Sequence, residues 1–358
     1  MFVGHDASFT SKGSPVYLDM KAHISLHEGV MSAGATPYLF RHNDPASLER
    51  MLAVHGPGLV AVDALYSTDG DMAPLAELVE VCERHGAALV VDETHSFGAQ
   101  GPGGAGLVVA AGLSQRVHFR TVGLSKAVAS RGGVIVCSQR NAEYFRYESL
   151  PAIFSTSVMQ HEVAGFDAVL DILEKEEWRR TTLHANHAYL KGGLDKLGYN
   201  VEASKSQIIA LEAGDIRQTT TLRDALESRG VFGAIFFPPA TPEKRCIIRF
   251  TLNCGLTRRE LDHIIEVCDH IRPEVGMAEW RSTKRKALDQ AKAAAPKAMA
   301  AVAGEGAPVA PRSALPGSGD LDGGRLHDWQ VYREGGANVG RGPARDRAPA
   351  ALDNHPAE

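Results

Sequence analysis

Between about residue 16 and residue 150, short unbroken apolar runs alternate with amphipathic stretches, and this restricts the fold more than any other feature of the chain. A strand packed on one face alternates apolar with polar residues, whereas a strand covered on both faces reads as a continuous apolar run. Gly58 to Asp63 (GLVAVD) is such a run. Pro74 to His85 then carries apolar residues at helical spacing and stops at Gly86, a residue suited to the left-handed cap of a helix. Ala88 to Val91 leads into Asp92 as a further strand; a glycine-rich loop follows from Gly98 to Gly106, and Val117 to Thr121 and Gly133 to Cys137 are two more strands. The pattern predicts an α/β domain built on a mainly parallel sheet.

A long helical stretch over 159–195 leads to a second region. There 208–211, 233–237 and 247–251 are predicted strands and 217–229 and 257–272 predicted helices, the pattern of a small α+β domain. The expected division is a large domain over 1–165, a small C-terminal domain over 166–276, and a tail over 277–358. That tail is rich in Ala, Pro and Gly and has no apolar period, so the expectation is a disordered segment with a short helix through Lys284 to Ala294. With 43 acidic and 38 basic residues the net charge is −5, which offers no positive field for nucleic acid or an anionic membrane. The five cysteines, Cys82, Cys137, Cys246, Cys254 and Cys268, show neither a CxxC pair nor metal-ligand spacing with histidine. Reduced thiols, no metal, no membrane span and a cytoplasmic location are the expectations.

Two short segments carry chemistry. In VVDETHSFG, Asp92 leaves the end of a buried strand with His95 three positions on, and in open α/β sheets ligands bind at the carboxyl ends of the strands. A carboxylate there can keep a pyridine nitrogen protonated; taken alone, it can equally cap the next turn. In TVGLSKAVASRGG, Lys126 follows a strand in a segment with no other charge before Arg131. Lysine forms an imine only when neutral, a state that desolvation favours, although a solvated loop lysine is the commoner case. The order of the two segments, about one βα unit apart, is the arrangement expected of pyridoxal-phosphate (PLP) enzymes of fold type I, with a Schiff base on Lys126 and Asp92 on the pyridine nitrogen.

On these segments, and on YLDMKAHISLHEG, RHND, HGPGLVAVDALYSTDGDMAPLAELV, VDETHSFGAQGPGGAGL, LPAIFSTSV, SQIIALEAGD and VFGAIFFPPATPEKRCIIRFTLN, the chain resembles the PLP-dependent α-oxoamine synthase family from Tyr17 to Arg272. It is most similar to the branch that makes α-hydroxyketone quorum-sensing autoinducers. The resemblance implies a fold-type I transferase and these roles: His23 stacks on the pyridine ring, His95 bonds the ring hydroxyl and helps move protons, and Lys126 holds the cofactor. It also assigns Ser67, Thr121 and Ser125 as cofactor-side hydroxyls, Thr156 as a residue reaching the phosphate of the neighbouring subunit in a homodimer, and Arg249 as the partner of the substrate carboxylate. Arg245 is expected to be a solvated surface charge. His42, Asn43 and Asp44 match a family signature and are assigned to loop architecture.

Two departures stand out. Many relatives carry Ser or Thr three positions before the lysine, where this chain has Gly123. They also carry a segment ahead of Tyr17 that supplies a substrate-channel arm and a phosphate-binding glycine loop, so the resemblance implies a chain truncated at its N-terminus. The implied reaction joins an acyl-CoA to an amino acid or S-adenosylmethionine. The other readings are an 8-amino-7-oxononanoate synthase, a sphingolipid-type synthase, or a catalytically silent paralogue acting as a dimer partner.

Overall fold

The computed structural model describes residues 13–289, all within one compact unit. In chain order the first sheet region comprises β1 (Pro15–Asp19), α1 (Ile24–Ser32), β2 (Thr36–Phe40), α2 (Pro45–His55), β3 (Leu59–Asp63), α3 (Leu75–His85), β4 (Ala88–Asp92), α4 (Leu107–Ala110), β5 (Phe119–Gly123) and β6 (Gly133–Cys137). Three helices, α5 (Gln139–Glu148), α6 (Leu150–Ile153) and α7 (Gln160–Lys175), lead to the long α8 (Trp178–Lys196). The second region contains β7 (Ile208–Gly214), α9 (Ile216–Glu227), β8 (Ala234–Phe236), β9 (Cys246–Thr251) and α10 (Arg258–His270).

The first sheet has the order β2-β1-β3-β4-β5-β6, with β1 to β5 parallel and β6 antiparallel to β5. Alternate residues of each parallel strand feed opposite cores. Tyr17, Val60, Val62, Leu89 and Val91 pack with Leu48 and Leu52 of α2 and Leu78 and Val79 of α3. Val16, Leu18, Ala61 and Val90 pack with Leu26 and Val30 of α1. Burial on both faces is why these strands read as unbroken apolar runs.

β6 departs from the sequence reading. It was grouped with the buried parallel strands, yet it runs antiparallel and leaves Val134 and Val136 each 45% exposed. The link over 124–132 is too short for a parallel crossover, which needs about a dozen residues or more. The predicted helix over 159–195 is likewise two helices, because Glu176 takes the non-helical angles φ −113°, ψ 58°. Gly86 caps α3 in the left-handed conformation, as its place in the sequence predicts.

The second sheet is antiparallel, order β7-β9-β8, and packs on α8, α9 and α10 around Leu190, Leu211, Leu222, Ile248 and Leu261. This core extends beyond residue 276. Residues 277–289, read above as part of the tail, continue with a 3₁₀ turn at Met277–Glu279 and helical residues 281–289. Trp280 is 1% exposed, packs edge-on against Tyr199 and donates from Nε1 to the Val275 carbonyl at 3.1 Å. A window of low-complexity composition hid this single aromatic anchor. The rest of the expected tail and its helix beyond 289 lie outside the described residues. Among the described residues no helix is long and apolar enough to cross a membrane, and no group of His, Cys, Asp and Glu is placed to hold a metal ion.

Trp280→Ala removes a buried aromatic anchor and its hydrogen bond. It is expected to destabilise the protein by about 3–5 kcal/mol, read as a lowered urea midpoint at unchanged slope.

Candidate active site

The parallel strands end in a row of acids. Asp63 of β3 lies beside Asp92 of β4, and Asp92 lies beside Thr121 of β5. All three are nearly buried, at 4%, 6% and 6% exposure. Asp92 accepts the Thr94 amide at 2.8 Å through Oδ1. Asp63 accepts the His23 amide at 3.0 Å through Oδ2, while its Oδ1 and the Thr121 hydroxyl oxygen have no partner among the described residues. Burial, and then the adjacent Asp92 carboxylate, raise the Asp63 pKa well above the ordinary carboxyl range. That shift favours the neutral form of Asp63.

His23 caps the start of α1 at the exposed lip of this row, its Nδ1 2.8 Å from the Ser25 hydroxyl. The crowded strand ends lower its pKa by desolvation, against the pull of Asp92. His95, half-buried in the turn after β4, is pushed down to about 3 by desolvation and by the positive charges of Lys126, Arg249 and His23. Its ring is neutral near pH 7. Lys126 stands exposed in the turn between β5 and β6, and no carboxylate among the described residues pairs with it. The turn is closed by backbone bonds from Ala129 to Lys126 (3.1 Å) and from Ser130 to Leu124 (3.0 Å), with Ala129 held at φ +53°. A cleft of about 750 Å³ opens beside it, lined in part by Ser125, Val128, Ser130, Arg131, His161 and Phe166.

Arg249 enters from the second sheet. It sits mid-strand in β9 between Ala210 of β7 and Ala234 of β8. Its Nη1 donates to the Ser67 carbonyl at 2.7 Å, and the guanidinium lies 4.6 Å over the Phe236 ring. Nε is buried without a partner, and no acid among the described residues forms an ion pair with the side chain. A half-buried guanidinium with spare donors is suited to a bound carboxylate. Arg245, in contrast, is half-exposed and pairs with Glu212.

Contacts and mutual electrostatics thus bring together His23, Asp92, His95, Lys126 and Arg249, with Ser67, Thr121 and Ser125 at their margins. Thr156 is exposed between α6 and α7 and is not among the groups these contacts join. Three residues were passed over in the sequence. Asp63 carries the same strand-end signature as Asp92. Gln207, which donates to the His95 carbonyl at 2.8 Å, carries no signature at all. Thr94 is the third: its hydroxyl accepts the Gly123 amide at 2.8 Å, and a Cβ built at Gly123 would lie 3.1 Å from Thr94 Oγ1 and Cγ2. A side chain at position 123 would require Thr94 to give way by a few tenths of an ångström.

A profile of the aminotransferase class I and II family matches residues 5–267. The chain belongs to that family. It is 40% identical over 267 residues to the CAI-1 autoinducer synthase of Vibrio campbellii, a match spanning 74% of this chain and 68% of the relative. It is 32% identical over 272 residues to the 8-amino-7-oxononanoate synthase of Anaeromyxobacter dehalogenans, covering 75% and 68%. Serine palmitoyltransferase from S. paucimobilis, solved with PLP bound, superposes with a TM-score of 0.73 at 30% identity over 77% of this chain and 70% of that one. Within the family the chain is a PLP-dependent α-oxoamine synthase, an acyltransferase of fold type I. The strand-end acids, the unpaired lysine and the neutral histidine fit that cofactor.

Gly123→Ser should cost about 1 kcal/mol of stability, since the new Cβ must displace Thr94 from its hydrogen bond. Combining it with Thr94→Ala should recover most of that loss in thermal melts.

Proposed function

We propose that this enzyme joins an acyl-CoA thioester to the α-carbon of an amino acid, releasing free CoA and the donor's carboxylate as carbon dioxide, to give an aminoketone precursor of an autoinducer. The observation that carries this reading is Arg249, a half-buried cation without an acidic partner among the described residues, directed at the same strand ends as Lys126 and His95. It would hold the donor's carboxylate by a planar, charge-assisted fork. PLP, when bound, supplies the electron sink for a carbanion at the α-carbon.

The chain's own residues would divide the remaining work. Lys126 anchors the cofactor and moves the α-proton at Nζ. Asp92 keeps the pyridine nitrogen protonated, and neutral Asp63 beside it spares the site a second negative charge. His23 offers a flat ring face at the lip. His95, neutral, can donate or accept at the ring hydroxyl. Ser67, Thr121 and Ser125 supply hydroxyls, and the unpartnered Thr121 oxygen supports its share in this. Arg249 reads only the α-carboxylate, so the proposal commits to an α-amino acid and not to S-adenosylmethionine in particular.

The autoinducer branch is favoured over 8-amino-7-oxononanoate synthesis by 40% identity, against 35% to a putative and 32% to a named 8-amino-7-oxononanoate synthase. A homodimer is part of the proposal. Helix α7 buries no residue, and Tyr147, Leu150, Phe154 and Met159 are all more than half exposed around Thr156. Apolar surface of this extent supports a protein partner, and it would bring Thr156 to the partner's site. A division into two domains is supported by the separate cores of the two sheets, the second of which reaches Trp280. The free state of all five cysteines supports a cytoplasmic location.

Borohydride reduction of the PLP-loaded protein followed by peptide mapping is expected to find the pyridoxyl group on Lys126, and a label on Lys21 or Lys205 would overturn the assignment. Arg249→Leu should weaken donor binding by about 1.5–3 kcal/mol, roughly 10- to 150-fold, with the thioester KM unchanged. Aminoketone formation from acyl-CoA and a donor, followed by mass spectrometry, tests the reaction itself. Loading with PLP but no product from any acyl-CoA would favour the silent-partner reading.

A further inference from the structure

We infer that His42, bridging Asp19 and Asp71, is a positioning residue that fixes the 66–71 turn and, through the Ser67 carbonyl of that turn, sets Arg249 in the pose that receives the donor's carboxylate. The inference rests on the acyl-transfer reading above and assigns a role to a residue otherwise left to loop architecture.

The bridge is built from both ring nitrogens. His42 Nδ1 lies 2.8 Å from Asp19 Oδ1, and Nε2 lies 2.5 Å from Asp71 Oδ2. A neutral imidazole has only one N–H, so two carboxylate partners require the imidazolium. Burial alone would lower the His42 pKa, but the hydrogen bonds and charges of Asp19 and Asp71 outweigh it and hold the ring at about 9. Asp19 is fully buried at the end of β1 and also accepts the amides of Lys21 and Asn43, each at 2.8 Å. Asn43, at φ +52°, donates from its side chain to Asp71 (3.3 Å) and to the Met72 carbonyl (3.1 Å). The Tyr66 ring stands edge-on to His42 at 4.5 Å, and Lys21 pairs with Asp69. Of these contacts, the bonds of Asp71 to His42 and Asn43, the Lys21–Asp69 pair and the Tyr66 ring tie the 66–71 turn to the segments that follow β1 and β2, while the bonds to Asp19 fix those segments to the end of β1.

The opposite side of the turn is tied to the second sheet. The Ser204 hydroxyl donates to the Asp69 carbonyl at 2.9 Å, and the Ser206 hydroxyl and Lys205 amide donate to the Gly70 carbonyl at 3.0 and 2.9 Å. Gly70, at φ +73°, sits so close to β7 that a Cβ there would lie 2.3 Å from the Ile208 carbonyl oxygen. The Ser67 carbonyl, in the same turn, is the hydrogen-bond acceptor of Arg249. With no acid among the described residues to hold it, the guanidinium takes its direction from that carbonyl and from Phe236 beneath it. A shift of the turn would redirect Arg249, whereas Asp92 is held at the end of its own strand.

The test uses the full-length, PLP-loaded protein with His42→Phe, and with Asp71→Asn as a second route to the same lesion should the first variant fold poorly. The donor probe is whichever of L-alanine, L-serine and S-adenosylmethionine shifts the visible spectrum of the wild type. Both variants are expected to raise donor Kd and donor KM about tenfold, with kcat within about threefold and the decanoyl-CoA KM within about twofold. In the Arg249→Leu background, His42→Phe should add less than about a twofold further loss of donor affinity, because both changes act on one contact. Hydrogen exchange on the cofactor-free variants should be faster at 66–71 and 204–208 and unchanged in β4. An unaltered donor Kd in both variants, or losses that multiply with Arg249→Leu, would overturn the inference. A wild type that responds to no donor would overturn the acyl-transfer reading, and unchanged exchange at 66–71 would then dispose of the clamp by itself.

Discussion

Burying a carboxylate is costly unless its oxygens are satisfied, and this protein buries a row of them at the carboxyl ends of its parallel strands. Each has a different compensation. Asp19 faces the His42 imidazolium and two backbone amides. Asp63 takes the His23 amide and, raised by burial and by Asp92, favours its proton. Asp92 takes the Thr94 amide. Glu93, one residue further and fully buried, is held by Arg120, the Ser96 hydroxyl and the Val108 amide. The loops after the strands are ordered because these acids need them, and the site is assembled from those loops.

The same economy explains how two sheets share one site. The turn over 66–71 uses its side chains toward the first sheet and its carbonyls toward the second, so a single short segment registers both. Gln207 performs a similar task on the other flank by bonding the His95 carbonyl. His95 follows the first sheet and Arg249 lies in the second, and the positive potential of Lys126 and Arg249 contributes to keeping His95 neutral. A neutral imidazole beside a lysine and an arginine with no acidic partner among the described residues is suited to an anionic, proton-exchanging ligand. PLP and an amino-acid carboxylate have that character.

Most of the fold was legible because its strands are buried on both faces. β3, α3 and β4 follow from apolar runs, helical spacing and Gly86 with boundaries displaced by a residue or less. The direction of β6 was not legible from its residues, since Gly133 to Cys137 is as apolar as its neighbours; the length of the preceding link decided it. The reach of the second core to Trp280 was obscured for a different reason. One aromatic in a polar, alanine-rich context carries little weight in composition but buries a large surface.

The sequence by itself determined the α/β class, because burial on both faces writes unbroken apolar runs into the strands, and its resemblance to a PLP-dependent family carried the cofactor and the roles expected of Asp92, His95, Lys126 and Arg249. Only the tertiary structure decided which groups compensate one another. Asp63 has its pKa raised by burial and by its register with Asp92, Thr94 packs against Gly123, and His42 acquires two carboxylate partners that lie 23 and 29 residues from it in sequence. Charge state and hydrogen-bond satisfaction depend on distances across the fold, and no local pattern of residues encodes them.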